Sequence, residues 1–352
     1  MQSPGGAAPN PFLAMMNAGI WDMPMVQSVV FPARRTEAKF LGAEDGPVRD
    51  GRIVVGDGER VGFRAYIPEG AAPDVVVLHF HGNAEVCGDA DDMAPLFHAC
   101  GAALVSVDYR GYGWSMGSPT LKQLCGDAED VLAAVKSGAV PGVPGTARVV
   151  AWGRSIGALS ACHLAAHRAA DVHGLIVDSG LMSILALPMV KVLAAQLLGA
   201  SAQQALGGLV DPVPTLAKLS RVGCPALVMH GAADDIVPVS QGRACFDRLA
   251  GAKELHVWPA PTGHNDVFLR QQEPWTVAVS ALLFQARLFD NAFPAGTAVE
   301  THSLSTAAFN GQAATVLGPK AGAEPPRLRV LFQDATLGEK ALKAENLRLQ
   351  AQ

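Results

Sequence analysis

Short apolar runs at residues 75–80, 103–107, 147–152, 174–177, 226–229 and 254–257 are separated by segments of helical patterning, and no other feature narrows the possible folds so far. A run without strict alternation of apolar and polar side chains is buried on both faces, as in a parallel strand with helices packed above and below it. The expected fold class is therefore α/β, with a mostly parallel central sheet and helices on both faces. Residues 52–55 and 61–67, split by Gly56-Asp57-Gly58, read as a leading hairpin. Residues 121–135 carry a helical pattern, and Pro274 sits where a first-turn proline opens a last helix running to about Leu288.

A Gly-x-Ser-x-Gly pattern occurs twice, as Gly113-Trp114-Ser115-Met116-Gly117 and as Gly153-Arg154-Ser155-Ile156-Gly157. The pentamer alone is weak evidence in a glycine-rich chain. A nucleophile elbow also needs a buried strand before the serine and a helix after it, so that the hydroxyl is presented and backbone N–H groups face the developing oxyanion. Ser155 meets both conditions, because Val149-Val150-Ala151-Trp152 precedes it and the proline-free residues 156–167 follow it. Around Ser115, Gly111, Gly113, Gly117 and Pro119 punctuate a loop. Ser155 is thus the expected nucleophile and Ser115 a loop residue.

Serine catalysis also needs a base, an acid that orients it, and donors for the oxyanion. The ends of parallel strands are where an open α/β sheet places its site. Asp234 follows one apolar run within His230-Gly231-Ala232-Ala233-Asp234-Asp235, and His264 follows the last run within Gly263-His264-Asn265-Asp266. Asp178, at the end of another run, is a second candidate acid whose bland role is to cap a turn or shape a pocket. His163 and His167 are spaced i, i+4 without the glutamate of a zinc helix between them, which favours a plain helix face. His230 and His256 read as structural histidines within strands, and Arg110 as a residue that holds its loop. No metal or other cofactor is expected.

With these motifs, together with His81-Gly82-Asn83-Ala84-Glu85 and Asp108-Tyr109-Arg110-Gly111-Tyr112-Gly113, the chain resembles an α/β hydrolase of the serine aminopeptidase-like branch. It is similar to the α/β-hydrolase-domain acyl-protein thioesterases, or depalmitoylases, over residues 49–290. The resemblance implies the α/β-hydrolase fold, with Ser155 as nucleophile, His264 as base and then acid, and Asp234 rather than the neighbouring Asp235 as the orienting carboxylate. The backbone N–H groups of Ile156 and Asn83 are the expected oxyanion hole. It implies a serine hydrolase acting on a carboxylic ester or acyl thioester. The alternatives are an aminopeptidase and a non-catalytic binding protein that reuses the fold. Two departures bear on substrate: the first cysteine is Cys87, so the N-terminal cysteine cluster of those relatives has no counterpart, and the apolar insertion at 181–222 is longer.

Three regions complete the expected organisation: an N-terminal arm (1–48), a hydrolase domain (49–290) whose insertion at 181–222 is either a cap or extra core, and a tail (291–352). The tail is rich in Gly, Ala, Ser and Thr up to Pro326 and is expected to be largely disordered, with a short helix over 337–349. A net charge of −5 without a Lys/Arg cluster argues against nucleic acid, so a small-molecule or acylated substrate is the expected partner. Six scattered cysteines without a Cys-x-x-Cys pair fit free thiols and a reducing, cytoplasmic setting. Asn10, Pro11, Asn17, Asp22 and Pro24 break the apolar N-terminal stretch, so docking of residues 12–31 on the domain is preferred to a membrane contact.

Overall fold

The computed structural model describes residues 21, 27, 30–41, 46–289, 298–301, 304–319, 328–342 and 347–349. The chain opens with Val48–Val55 (β1) and Glu59–Tyr66 (β2), an antiparallel hairpin. It continues through Val75–Phe80 (β3), Ala94–Ala99 (α1), Ala102–Val107 (β4), Leu121–Lys136 (α2), Arg148–Arg154 (β5), Ala158–His167 (α3) and Val172–Asp178 (β6). After the insertion, Pro188–Leu198 (α4) and Ala202–Gly207 (α5), come Ala226–Gly231 (β7), Val239–Arg248 (α6), Lys253–Trp258 (β8), Val267–Arg270 (α7) and Gln272–Leu288 (α8).

The sheet order is β1-β2-β4-β3-β5-β6-β7-β8, with every pairing from β4 to β8 parallel. Residue alternation explains why the central runs contain no polar gaps. On β3, Val76, Leu78 and Phe80 join the core cluster that includes Leu132 of α2 and Leu159 and Leu164 of α3, while Val75 and Val77 join a second cluster with Phe97, Trp275 and Leu283. Each such side chain contributes roughly 1.5–3 kcal/mol on full burial, so both faces of the strand are held. Thr120 starts α2 by accepting the Gln123 N–H (3.2 Å), and its loss would cost about 1 kcal/mol. β4 and β5 flank β3 on opposite sides, so the strand order reverses at β3. The loops leaving β3 and β5 therefore open a crevice at the carboxyl edge of the sheet.

Within the insertion, Leu181, Met182 and Ile184 are buried in the cluster that holds α3. Pro188 opens α4, whose outer face exposes Met189 and Val192, so this segment combines added core with an apolar surface. Of residues 12–31, Trp21, Gln27, Val30 and Phe31 are described; Trp21 and Val30 pack against the core and Phe31 is buried, and the others lie outside the described residues.

The tail departs from expectation. Ala298–Thr301 (β9), Ala313–Pro319 (β10), Leu328–Phe332 (β11), Glu339–Leu342 (β12) and Leu347–Leu349 (β13) form a second, antiparallel sheet in the order β12-β11-β10-β9-β13. Its core is Val299, Ala314, Val316, Val330, Phe332 and Leu342. The expected disorder and the expected helix over 337–349 are corrected for the described residues. Alternate apolar residues suffice for a sheet with one buried face, and so few of them leave a low-complexity composition. Among the described residues, no helix is long and apolar enough to cross a membrane. All six cysteines are free, four of them buried.

Candidate active site

β5 runs straight into Ser155, whose φ of +52° is a conformation side chains rarely adopt outside strained turns. A short 3-10 turn, Ser155–Gly157, then feeds α3. The turn is tight: a Cβ on Gly157 would lie 2.0 Å from the Phe80 carbonyl oxygen, so only glycine lets the elbow press against the end of β3. The Leu181 N–H donates to the Ser155 carbonyl (2.9 Å), which ties the elbow to the start of the insertion.

Asp234 occupies the turn after β7, where its Oδ1 accepts the Ile236 and Val237 N–H groups at 3.1 and 2.8 Å. Its Oδ2 faces His264 Nδ1 at 2.7 Å, and His264 Nε2 faces Ser155 Oγ at 2.9 Å. All three residues are 7% exposed. Burial alone would raise the Asp234 carboxyl, but the hydrogen bonds from His230 and His264 outweigh it and hold the group well below the usual carboxylate range. The carboxylate therefore stays ionised beside the imidazole, fixing the tautomer whose Nε2 can accept a proton from the serine. The structure thus joins the three residues expected from sequence into one relay.

Asn83 lies in the loop after β3, with its side chain donating to the Val30 carbonyl (2.7 Å) and accepting from Tyr112 Oη (2.8 Å). The side chain is thus occupied by the arm and a neighbouring loop. Because Gly157 abuts the Phe80 and His81 carbonyls, this loop is packed directly beside the elbow that carries Ile156.

A family model described as serine aminopeptidase, S33, matches residues 71–212. The protein aho-3 of Caenorhabditis elegans, an alpha/beta hydrolase domain-containing protein, is 32% identical over 197 residues, 55% of this chain and 53% of that protein. Human alpha/beta hydrolase domain-containing protein 17B is 31% identical over 204 residues, 56% of this chain and 62% of that one. The matches thus span little more than half the length of these relatives. Among solved structures, an esterase of Pyrococcus furiosus aligns with a TM-score of 0.56 at 17% identity, covering 72% of this chain and 95% of its own. Acetyl xylan esterase 1 of Thermoanaerobacterium aligns at 0.53 and 19% identity, covering 71% and 86%. The chain has the α/β-hydrolase fold.

Within this α/β-hydrolase fold the competing residues find other partners. Ser115 is buried and braces its loop, accepting the Gly62 N–H (2.7 Å) and donating to the Asp108 carbonyl (3.3 Å). Asp235 is exposed beside Asp234. Arg110 pairs with Asp127 and Asp57, and so ties its loop to α2 and the leading hairpin. The His163 and His167 rings stack at 4.3 Å, and His163 also meets Glu129 and Lys218. His230, read as structural, proves to back the acid, with Nε2 at 2.7 Å from the Val237 carbonyl and 3.1 Å from Asp234 Oδ2.

Asp178 ends β6, apart from the relay, and burial pushes its carboxyl up against the pull of the nearby Arg154 charge. It lines a cavity of about 190 Å³ shared with His79, Trp152, Arg154, Phe268 and His264. Among the described residues, Asp178 Oδ1, His79 Nε2 and Trp152 Nε1 have no hydrogen-bond partner. The residues missed from sequence are Arg154 and Glu85, which meet as an ion pair beside the elbow. The available signal was position: Arg154 directly precedes Ser155, and Glu85 stands three residues after Gly82.

Proposed function

We propose that this chain is a serine hydrolase that cleaves a carboxylic ester or acyl thioester through an acyl-Ser155 intermediate. The observation that carries this reading is the unbroken relay from Ser155 Oγ through His264 to Asp234, set on a strand-to-helix turn with left-handed φ at the serine. In the first half-reaction, Ser155 Oγ bonds to the acyl carbon while its proton passes to His264 Nε2. The carbonyl oxygen, now an oxyanion, takes hydrogen bonds from the Ile156 and Asn83 backbone N–H groups. His264 then protonates the departing alcohol or thiol as the tetrahedral carbon collapses. In the second half-reaction, water gives a proton to the same nitrogen as its oxygen bonds to the acyl carbon; His264 then returns that proton to Ser155 Oγ as the acyl carbon–Oγ bond breaks, releasing the carboxylic acid and free Ser155. No redox or metal step enters this sequence.

Support for an apolar acyl group comes from the insertion, which starts at the elbow through the Leu181–Ser155 contact and carries the exposed Met189 and Val192. The relatives' alpha/beta hydrolase descriptions and the fold shared with two esterases support the hydrolase class. A formed relay weighs against a non-catalytic use of the fold. The test is labelling with a fluorophosphonate, followed by turnover of matched acyl esters, acyl thioesters and aminoacyl amides. Ester or thioester turnover that tracks labelling is the expected result. Amide turnover alone would replace this reading with a peptidase, and no labelling of the folded protein would remove it.

A further inference from the structure

We infer that Arg154 and Glu85 form a clasp that holds the loop after β3 and the loop bearing His264 in register about Ser155. Resting on the hydrolase reading above, the inference makes Arg154 a positioning residue for that reaction. Arg154 is the last residue of β5, so its backbone cannot move without moving the nucleophile. Its guanidinium spreads in three directions. Nη1 pairs with Glu85 Oε1, and Nη2 donates both to the His264 carbonyl and to Asn265 Oδ1, each at 3.0 Å. The second carboxylate oxygen of Glu85 accepts the Gly82 N–H at 2.6 Å, one residue before the Asn83 amide. One planar cation therefore links the backbone of the base to the backbone of the oxyanion loop. A flexible ammonium with a single charged point cannot copy that fork.

Two further observations fit a clasp and not an incidental ion pair. A Cβ on Gly82 would stand 2.4 Å from Arg154 Nη1 and 2.9 Å from Glu85 Oε2, so the pair lies directly against the main chain there. Ala84, inside the same turn, holds φ at +62°, a left-handed conformation strained for a residue with a Cβ. The Glu85 contacts to Gly82, side chain to N–H and N–H to carbonyl (3.2 Å), close that turn against the strain. The side chains are only 16% and 27% exposed, which limits screening by solvent.

The test uses the full chain with Arg154→Ala, Arg154→Lys, Glu85→Gln and the Arg154→Ala/Glu85→Gln double variant, each first shown to be folded. A misplacement on the order of 1 Å costs about 100-fold in rate, so Arg154→Ala is expected to slow fluorophosphonate labelling and kcat by about that factor, with KM changed less than about threefold. Arg154→Lys should fall between it and the parent. Guanidinium ion added to Arg154→Ala should restore part of the rate, which a general loss of packing would not allow. The double variant should be no slower than the slower single variant, because one clasp is lost once. Wild-type labelling by Arg154→Ala, a loss confined to KM, or multiplying losses in the double variant would each overturn the inference. If Arg154→Ala does not fold, Arg154→Lys and Glu85→Gln carry the same comparison. A wild-type protein that neither labels nor turns over esters would instead overturn the hydrolase reading. The clasp is then judged by proton NMR of the His264 Nδ1–H hydrogen bond to Asp234: a resonance moved in folded Arg154→Ala supports it, and an unmoved one overturns it.

Discussion

At the scale of single residues, Ser155 is held in a conformation that serine avoids, and its use lies in where the hydroxyl then points. Ser155→Ala is expected to abolish fluorophosphonate labelling and to lower ester turnover by roughly 10⁴–10⁶. His264→Ala should cost nearly as much, and the double variant little more. Ser115→Ala should behave differently: it removes the acceptor of a buried Gly62 N–H, so it is expected to lower the unfolding free energy by about 1–3 kcal/mol, read from denaturant unfolding, with labelling per folded molecule unchanged. Full labelling of Ser155→Ala, measured by mass shift, would refute the assignment. That Ser155, His264 and Asp234 lie together was legible because each ends a recognisable run or sits in a short motif. Arg154 was not, because its meaning depends on Glu85, 69 positions earlier, and on the His264 carbonyl, 110 positions later.

At the scale of elements, the β5–β6 pairing carries a local irregularity that no periodicity announces. The register jumps between Val149 and Val150, so that Val172 and Gly174 are the paired residues and His173 is bulged between them. Its imidazole takes over the missing partner, with Nδ1 at 3.3 Å from the Val149 N–H and 3.1 Å from the Asp171 carbonyl. Burial, helped by the Arg148 charge, lowers the His173 pKa to about 4, so the neutral ring accepts from Val149. A histidine lowered from an unfolded value near 6.5 stabilises the fold fully above that value, and the contribution is lost as pH falls from about 6.5 through 4. Protonated Nδ1 would turn donor toward Asp171 and leave Val149 without an acceptor. Urea midpoints measured from pH 7.5 to 4 should therefore drop less steeply for His173→Gln than for the parent; parallel curves would refute this role.

The insertion is an element whose part in substrate choice awaits the same treatment. Met189 is 60% exposed, so Met189→Ser should leave the fold intact while reducing kcat/KM for long acyl esters relative to short ones. Each methylene that loses apolar cover is worth up to about 0.8 kcal/mol. A uniform fall across the ester series would place α4 outside the acyl path. Sequence alone could not decide this, since an apolar helix face reads alike whether it meets core, substrate or water.

At the scale of the whole molecule, the parallel sheet was legible because buried strands tolerate so few polar residues that their runs stand out. The second sheet was not, because its core draws on isolated residues such as Val299, Ala314 and Val316. No member of that core belongs to either cluster of the hydrolase sheet. A chain ending after residue 290, which keeps the buried Phe289 whose carbonyl accepts from Arg148, is expected to label at Ser155 at the full rate. Loss of labelling in a folded truncation would show that the second sheet supports the site. The wide spacing of the relay has a further consequence, in the timing of synthesis. Ser155 leaves the ribosome 109 residues before His264, an interval on the order of 5–20 s at roughly 5–20 residues per second. Throughout that interval Ser155 has no His264 beside it, so on the proposed reading it stays chemically silent until β7, β8 and the loop bearing His264 have followed it.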